Sequence, residues 1–222
     1  MHRDKLHLGL MLALTFSTGI ADAVGYLGLD RVFTGNMTGN VVILGMGLAG
    51  ADDLPVVGPL LAFATFLAGA ALGGLVLRKD DVGWTGRTTA CFGTVAAILV
   101  VLAVLLAATA GDMAHGVQLT VTGLLAAAMG LQAAAARHLA VKEITTVVVT
   151  SAITGLAMDS RLVGGHGRHV WRRVAAILLL SAGAGVGALL LQVDLALGVG
   201  VSAAIALAVT LLGHLRGREV AR

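Results

Sequence analysis

Charge is what this chain has least of. Asp, Glu, Lys and Arg make up 12% of its 222 residues, against about 25% in an ordinary soluble domain. That shortage excludes a water-facing surface over most of the chain. Cysteine is nearly missing too. Cys91 stands alone, so no internal disulfide can form and cysteine usage says nothing of the redox compartment. Only two prolines occur, which leaves few sites for sharp helix kinks. A Gly-Lys-Ser/Thr phosphate loop is absent, and no nucleophile–base pair or haem motif stands out. The expectation is therefore a protein that is not an enzyme and holds no cofactor.

Hydrocarbon fills the space that charge vacates. Residues 54–77, 88–111, 117–136, 174–193 and 195–213 contain no Asp, Glu, Lys or Arg, and residues 8–29 contain one, Asp22. Each run reaches the roughly 20 residues that an α-helix needs to cross a bilayer core. None alternates polar and apolar positions as a barrel strand would. The expected fold class is an all-α integral membrane protein with about six transmembrane helices, forming a single membrane domain over residues 1–222. Glycine is abundant, at 31 residues, and small residues let helices approach closely in lipid. Gly69/Gly73 and Gly183/Gly187 are small-xxx-small pairs. Internal packing is their simpler use, and a homo-oligomer contact the alternative.

The few charges report orientation. Basic residues gather in residues 1–5, 78–87, 137–142, 161–173 and 214–222, while residues 51–53, 111–115 and 192–194 are acidic or neutral. Six spans with both termini in the cytoplasm place every basic stretch inside. The same placement explains the net charge of +3 without nucleic acid as a partner. Arg3 and Lys5 before an apolar run, with Ala21-Asp22-Ala23 after it, resemble a signal peptide. Asp22 is out of place in one, so this stretch is expected to remain as the first span.

Two apolar stretches, residues 32–51 and 144–158, are left over. If both crossed, the basic loop at 78–87 would move outside. They are expected to be short re-entrant or broken helices, tolerated at membrane depth only where protein or a cavity covers them. They also expose a repeat. Gly19-Ile20-Ala21-Asp22-Ala23 aligns with Gly130-Leu131-Gln132-Ala133-Ala134, and at the same spacing Tyr26 falls on Arg137 and Thr34 on Thr145. Each unit reads as span, charged elbow, short helix, span, span, with pseudo-repeats at 1–111 and 112–222. Three crossings end on the side opposite their start, so the second copy must be inverted, as in many secondary transporters.

Asp22 is the most informative residue. A carboxylate within a membrane helix costs at least about 2.5 kcal/mol on insertion scales and should face the bundle interior. It is a candidate proton-coupling or substrate-binding group, with a packing role as the alternative. Thr34-Gly35-Asn36 and Thr38-Gly39-Asn40 are good turn and N-cap residues. A helix starting there presents unpaired N–H groups able to receive an anion or a polar group. The matching start carries Thr145, Thr146 and Thr150, and Gln132 faces the same region with Asp22 or Asn40 as its expected partner. His166 and His169 lie in a charged loop without a carboxylate or cysteine cluster, so no metal site is expected.

These residues resemble those of the YoaK family of small bacterial membrane proteins, described as a domain of unknown function. The resemblance runs through Asp22-Ala23, Gly25-Tyr26, Val32-Phe33 and Asn36-Met37-Thr38-Gly39-Asn40. It continues in Gly130-Leu131-Gln132, Arg137 and residues 145–150. Family members often carry Asn where this chain has Ala133, and Gly and Thr where it has Ser151 and Ala152. The resemblance implies a six-span protein of the bacterial cytoplasmic (inner) membrane and supplies no established activity.

The functional expectation is a small transporter or exporter in the lipid bilayer, proton-coupled through Asp22, for a small polar or anionic solute. Asp22, Tyr26, Thr34, Asn36, Thr38, Asn40, Gln132, Thr145, Thr146 and Thr150 would line its site. A passive channel, or a membrane scaffold docking through residues 161–173, are the alternatives.

Overall fold

The computed structural model describes residues 2–51, 53–109, 113–139, 149–159 and 170–217. Among them the chain forms eight helices and no strand: α1 (His2–Gly28), α2 (Met37–Leu48), α3 (Val57–Leu77), α4 (Gly86–Ala108), α5 (His115–His138), α6 (Val149–Met158), α7 (Val170–Leu191) and α8 (Leu195–Gly217). Six of these, all but α2 and α6, are long and apolar enough to cross a membrane. The chain is an all-α, multi-pass membrane protein.

Local sequence sets the boundaries. Pro59 sits in the first turn of α3, where the N–H it lacks would have had no intrahelical partner. At α4, Thr85 and Thr88 close a reciprocal capping box, and Asp80 holds the same corner through Thr85 and an ion pair to Arg87. The short helix α2 begins only after the turn-forming residues Thr34, Gly35 and Asn36. Asn36 caps α2 by accepting from the Gly39 N–H. α2 lies against α3, and α6 against α7. Only Asn40 and Ile43 of α2 are buried, and no residue of α6 is.

One apolar core runs through α1, α4, α5 and α8, with Met11, Leu14, Val24, Phe92, Leu99, Leu125, Met129 and Val199 fully or almost fully enclosed. One end of the bundle gathers basic stretches. There Trp84 stacks on Phe92, lies near His7 and presses on Gly213, while the His138 ring bonds the Asp81 carbonyl. At the other end Gly28 meets Leu191 and Leu195.

Glycine fixes the tightest helix pairs. On α1 and α7, a Cβ at Gly19 would collide with the Leu180 carbonyl, and one at Gly183 with the Phe16 carbonyl. On α3 and α5, a Cβ at Gly130 would collide with the Phe66 carbonyl, and one at Gly69 with the Ala127 carbonyl. Gly187 packs on Ile20 and Ala23 as Gly73 packs on Leu131 and Ala134. These contacts correspond one to one when Gly19 is laid on Gly130 and Gly69 on Gly183. The helix pairs follow suit. Exchanging α1 with α5, α2 with α6, α3 with α7 and α4 with α8 turns α1/α7 into α5/α3, α1/α8 into α5/α4, and α2/α3 into α6/α7. The small-xxx-small pairs thus serve contacts inside the chain.

Candidate functional site: a carboxylate holding the lead-in to a short helix

Asp22 lies on α1 roughly 9 Å before its end at the rise of an α-helix. Beyond Gly28 the chain doubles back. Leu29 and Val32 both donate their N–H to the Gly25 carbonyl, at 3.1 and 3.4 Å. Asp30 and Arg31 take the left-handed backbone, with φ of 68° and 57°, which non-glycine residues seldom adopt. Gly25 makes the return path fit, because a Cβ there would strike the Val32 carbonyl and stand 2.7 Å from the Thr34 methyl.

The returning segment delivers its amides to Asp22. One carboxylate oxygen, Oδ1, accepts from the N–H of Gly35 at 2.6 Å, Thr34 at 2.9 Å and Asn36 at 3.3 Å, and from the Thr34 hydroxyl at 3.3 Å. Successive backbone N–H groups ahead of a helix form an anion-binding concavity at the positive end of its dipole. Here the anion is the chain's own carboxylate. Thr34 is fully buried, and Asp22 is half-buried beneath the segment.

Asn40 does a second holding job. Its Oδ1 accepts from the Phe33 N–H at 2.8 Å, and its Nδ2 donates to the Phe33 carbonyl at 2.6 Å. The side-chain amide thus pairs with one residue's backbone as a neighbouring strand would. The Phe33 ring stacks on Tyr26, with centroids 4.8 Å apart. Asn40 is 1% exposed.

Gln132, from α5, reaches α1 at Thr18, one turn before Asp22. The Thr18 hydroxyl donates to the Leu14 carbonyl at 2.9 Å, so its oxygen is free to accept, and Gln132 Nε2 donates to it at 3.0 Å. Thr18 in turn lies against the returning segment, since a Cβ on Gly35 would stand 2.9 Å from its methyl. Gln132 is 1% exposed, and its Oε1 has no hydrogen-bond partner among the described residues. On the far side of α1, Ser17 and Ser202 each bond the other's carbonyl at 3.4 Å.

The structure therefore brings Asp22, Tyr26, Thr34, Asn36, Asn40 and Gln132 together around one elbow, with two changes from expectation. Gln132 bonds Thr18 rather than Asp22 or Asn40, whose Oδ1 and side-chain amide respectively bond the returning backbone. The amides of Thr34, Gly35 and Asn36 just ahead of α2 are not open to an outside anion, because Asp22 Oδ1 accepts from all three. Thr38 is exposed on the first turn of α2, and Thr150 is exposed on α6. Thr145, Thr146, His166 and His169 lie outside the described residues. Sequence reasoning misses Thr18, whose one signal is its place one turn from Asp22, and reads Gly35 only as part of the turn-forming stretch. Among the described residues no group of three His, Cys, Asp or Glu could hold a metal ion. An apolar cleft between α3 and α5, lined by Leu61, Thr65, Thr120 and Gly123 among others, shares no residue with this elbow.

Fold and site define a multi-pass helical membrane protein in which a carboxylate inside a long apolar helix anchors the backbone leading into a short one. The chain belongs to the family described as protein of unknown function (DUF1275), whose model matches residues 10–212. It is 32% identical over 151 residues to the UPF0700 transmembrane protein YoaK of Bacillus subtilis (strain 168), covering 68% of this chain and 65% of that relative's length. No solved structure matches the chain.

Proposed function

We propose that this chain is a small proton-coupled transporter or exporter of a small polar solute, built as two inverted three-span repeats. It lies in the bacterial cytoplasmic membrane with both termini inside and does no covalent chemistry. The paired glycine contacts, α1 with α7 and α3 with α5, support the repeat. Basic stretches at one end of the bundle support the orientation.

One observation carries the transport reading: the backbone start of a broken helix hangs on a single titratable group inside the span. Ionised, Asp22 accepts only. Protonated, it gains a donor and its hold on three amides weakens. Proton uptake would then free residues 34–36, let α2 shift along α3, and open a path beside Thr18 and Gln132. Discontinuous helices at the interface of inverted repeats serve as moving gates in transporters.

A second reading has its own observation. Four donors on one oxygen are also what a purely structural cap would show, which fits a scaffold whose Asp22 never titrates. Flux separates the two. Full-length protein is reconstituted in liposomes with trapped pyranine, and a pH gradient is applied with guanidinium, urea or nitrate outside. Solute-dependent proton movement that Asp22→Asn abolishes supports the transporter. Solute movement that ignores the gradient supports a channel, and no movement with any of the three supports the scaffold.

A further inference from the structure

We infer that the polar elbow between α1 and α5 takes a small hydrogen-bond-donating solute, cationic or neutral, and rejects anions, with Gln132 Oε1 as the acceptor that meets it. The inference rests on the transport reading only in taking the elbow as a binding site.

Direction follows from bonds already made. The Thr18 hydroxyl gives its hydrogen to the Leu14 carbonyl, so Gln132 must present an N–H to Thr18. That orientation, set by the bonding network, leaves the amide oxygen over. Gln132 is almost wholly enclosed, and an unmet buried acceptor costs about 1–3 kcal/mol. Such a group in a native fold calls for an explanation, commonly a water or a ligand. What comes to Oε1 must donate. An anion would instead need the run of amides just ahead of α2, and those of Thr34, Gly35 and Asn36 are all directed at Asp22 Oδ1. The negative carboxylate repels an anion and attracts a cation. The second repeat adds no competing carboxylate at the matching point, where Ala133 replaces Asp22.

Three planar probes of one shape separate the cases. Guanidinium is a cationic donor, urea a neutral donor, and nitrate an anion that only accepts. Each is titrated at low millimolar concentration and constant ionic strength into purified full-length protein in detergent, with the melting temperature as readout. The expected result is saturable stabilisation by guanidinium, a weaker response to urea and none to nitrate. Gln132→Leu should weaken guanidinium binding about tenfold, the loss of one buried hydrogen bond. Gln132→Glu, which keeps an acceptor there, should retain it. If Gln132→Leu does not fold, Thr18→Val, which unseats the amide, should weaken binding in its place. Saturable stabilisation by nitrate would overturn the inference, and so would an unchanged guanidinium response in the Gln132 and Thr18 variants. A flat response to all three probes would mean Oε1 holds only a structural water, and would overturn it as well. Binding without flux would instead defeat the transport reading and leave this one standing.

Discussion

Replacing Asp22 should loosen a defined stretch of backbone by a calculable amount. Of the four donors on Oδ1, the Gly35 and Thr34 amides at 2.6 and 2.9 Å are well placed, and the two at 3.3 Å are marginal. A hydrogen bond to a charged acceptor contributes about 1.5–3 kcal/mol net, so the two good bonds together hold the segment by roughly 3–6 kcal/mol. Asp22→Ala removes the one oxygen that accepts both. Asp22→Asn keeps an oxygen but not the charge, which halves each bond and leaves a loss of roughly 1.5–3 kcal/mol. Amide hydrogen exchange reads local opening on this scale. At a factor of ten per 1.4 kcal/mol, exchange at residues 34–36 should speed up about 10²- to 10⁴-fold in Asp22→Ala and about 10- to 10²-fold in Asp22→Asn. Amides in the middle of α4 should not respond. Equal exchange in wild type and Asp22→Ala would refute the reasoning, as would an Asn variant that opens as far as the Ala variant.

Three further outcomes are expected. Gly183→Ala and Gly130→Ala each drive a methyl into a facing carbonyl and should destabilise the protein by about 1–3 kcal/mol or more. Gly185→Ala and Gly74→Ala, which meet open space, should be near neutral, all four being compared by thermal unfolding in detergent. Asn40→Asp keeps an acceptor for the Phe33 N–H but sets a carboxylate oxygen against the Phe33 carbonyl, so exchange at residue 33 should rise at least as much as in Asn40→Ala. In a Cys91→Ser background, a cysteine at Lys79 should react with an impermeant maleimide only from the cytoplasmic face, and one at Gln192 only from the opposite face.

The six spans were legible because lipid imposes a simple requirement: a charge-free run of sufficient length must be a helix that crosses. The short helices were legible as exceptions, since Thr34-Gly35-Asn36 is too polar and too rich in turn-formers to face lipid. Asp22 declared itself as the lone charge in its run. The path between them was not legible. It turns on left-handed backbone at Asp30 and Arg31, which neither residue type advertises, and on the absence of a Cβ at Gly25, one glycine among many. Asn40 reads in sequence as a free polar side chain facing a site. In the fold its amide copies a peptide bond and is consumed by the Phe33 backbone. Gln132 bonds Thr18, whose hydroxyl is turned to accept by its own bond to the Leu14 carbonyl, a backbone partner invisible to a motif.

The claim that Asp22 carries a proton meets its most direct test in infrared difference spectroscopy of the reconstituted protein. Lowering the pH through the range that drives flux should raise a protonated-carboxyl band that is missing in Asp22→Asn, and adding guanidinium should suppress that band as the cation competes with the proton. If no Asp22-dependent band appears anywhere in the range where solute moves, the carboxylate stays ionised as a fixed cap, and the coupling mechanism is wrong.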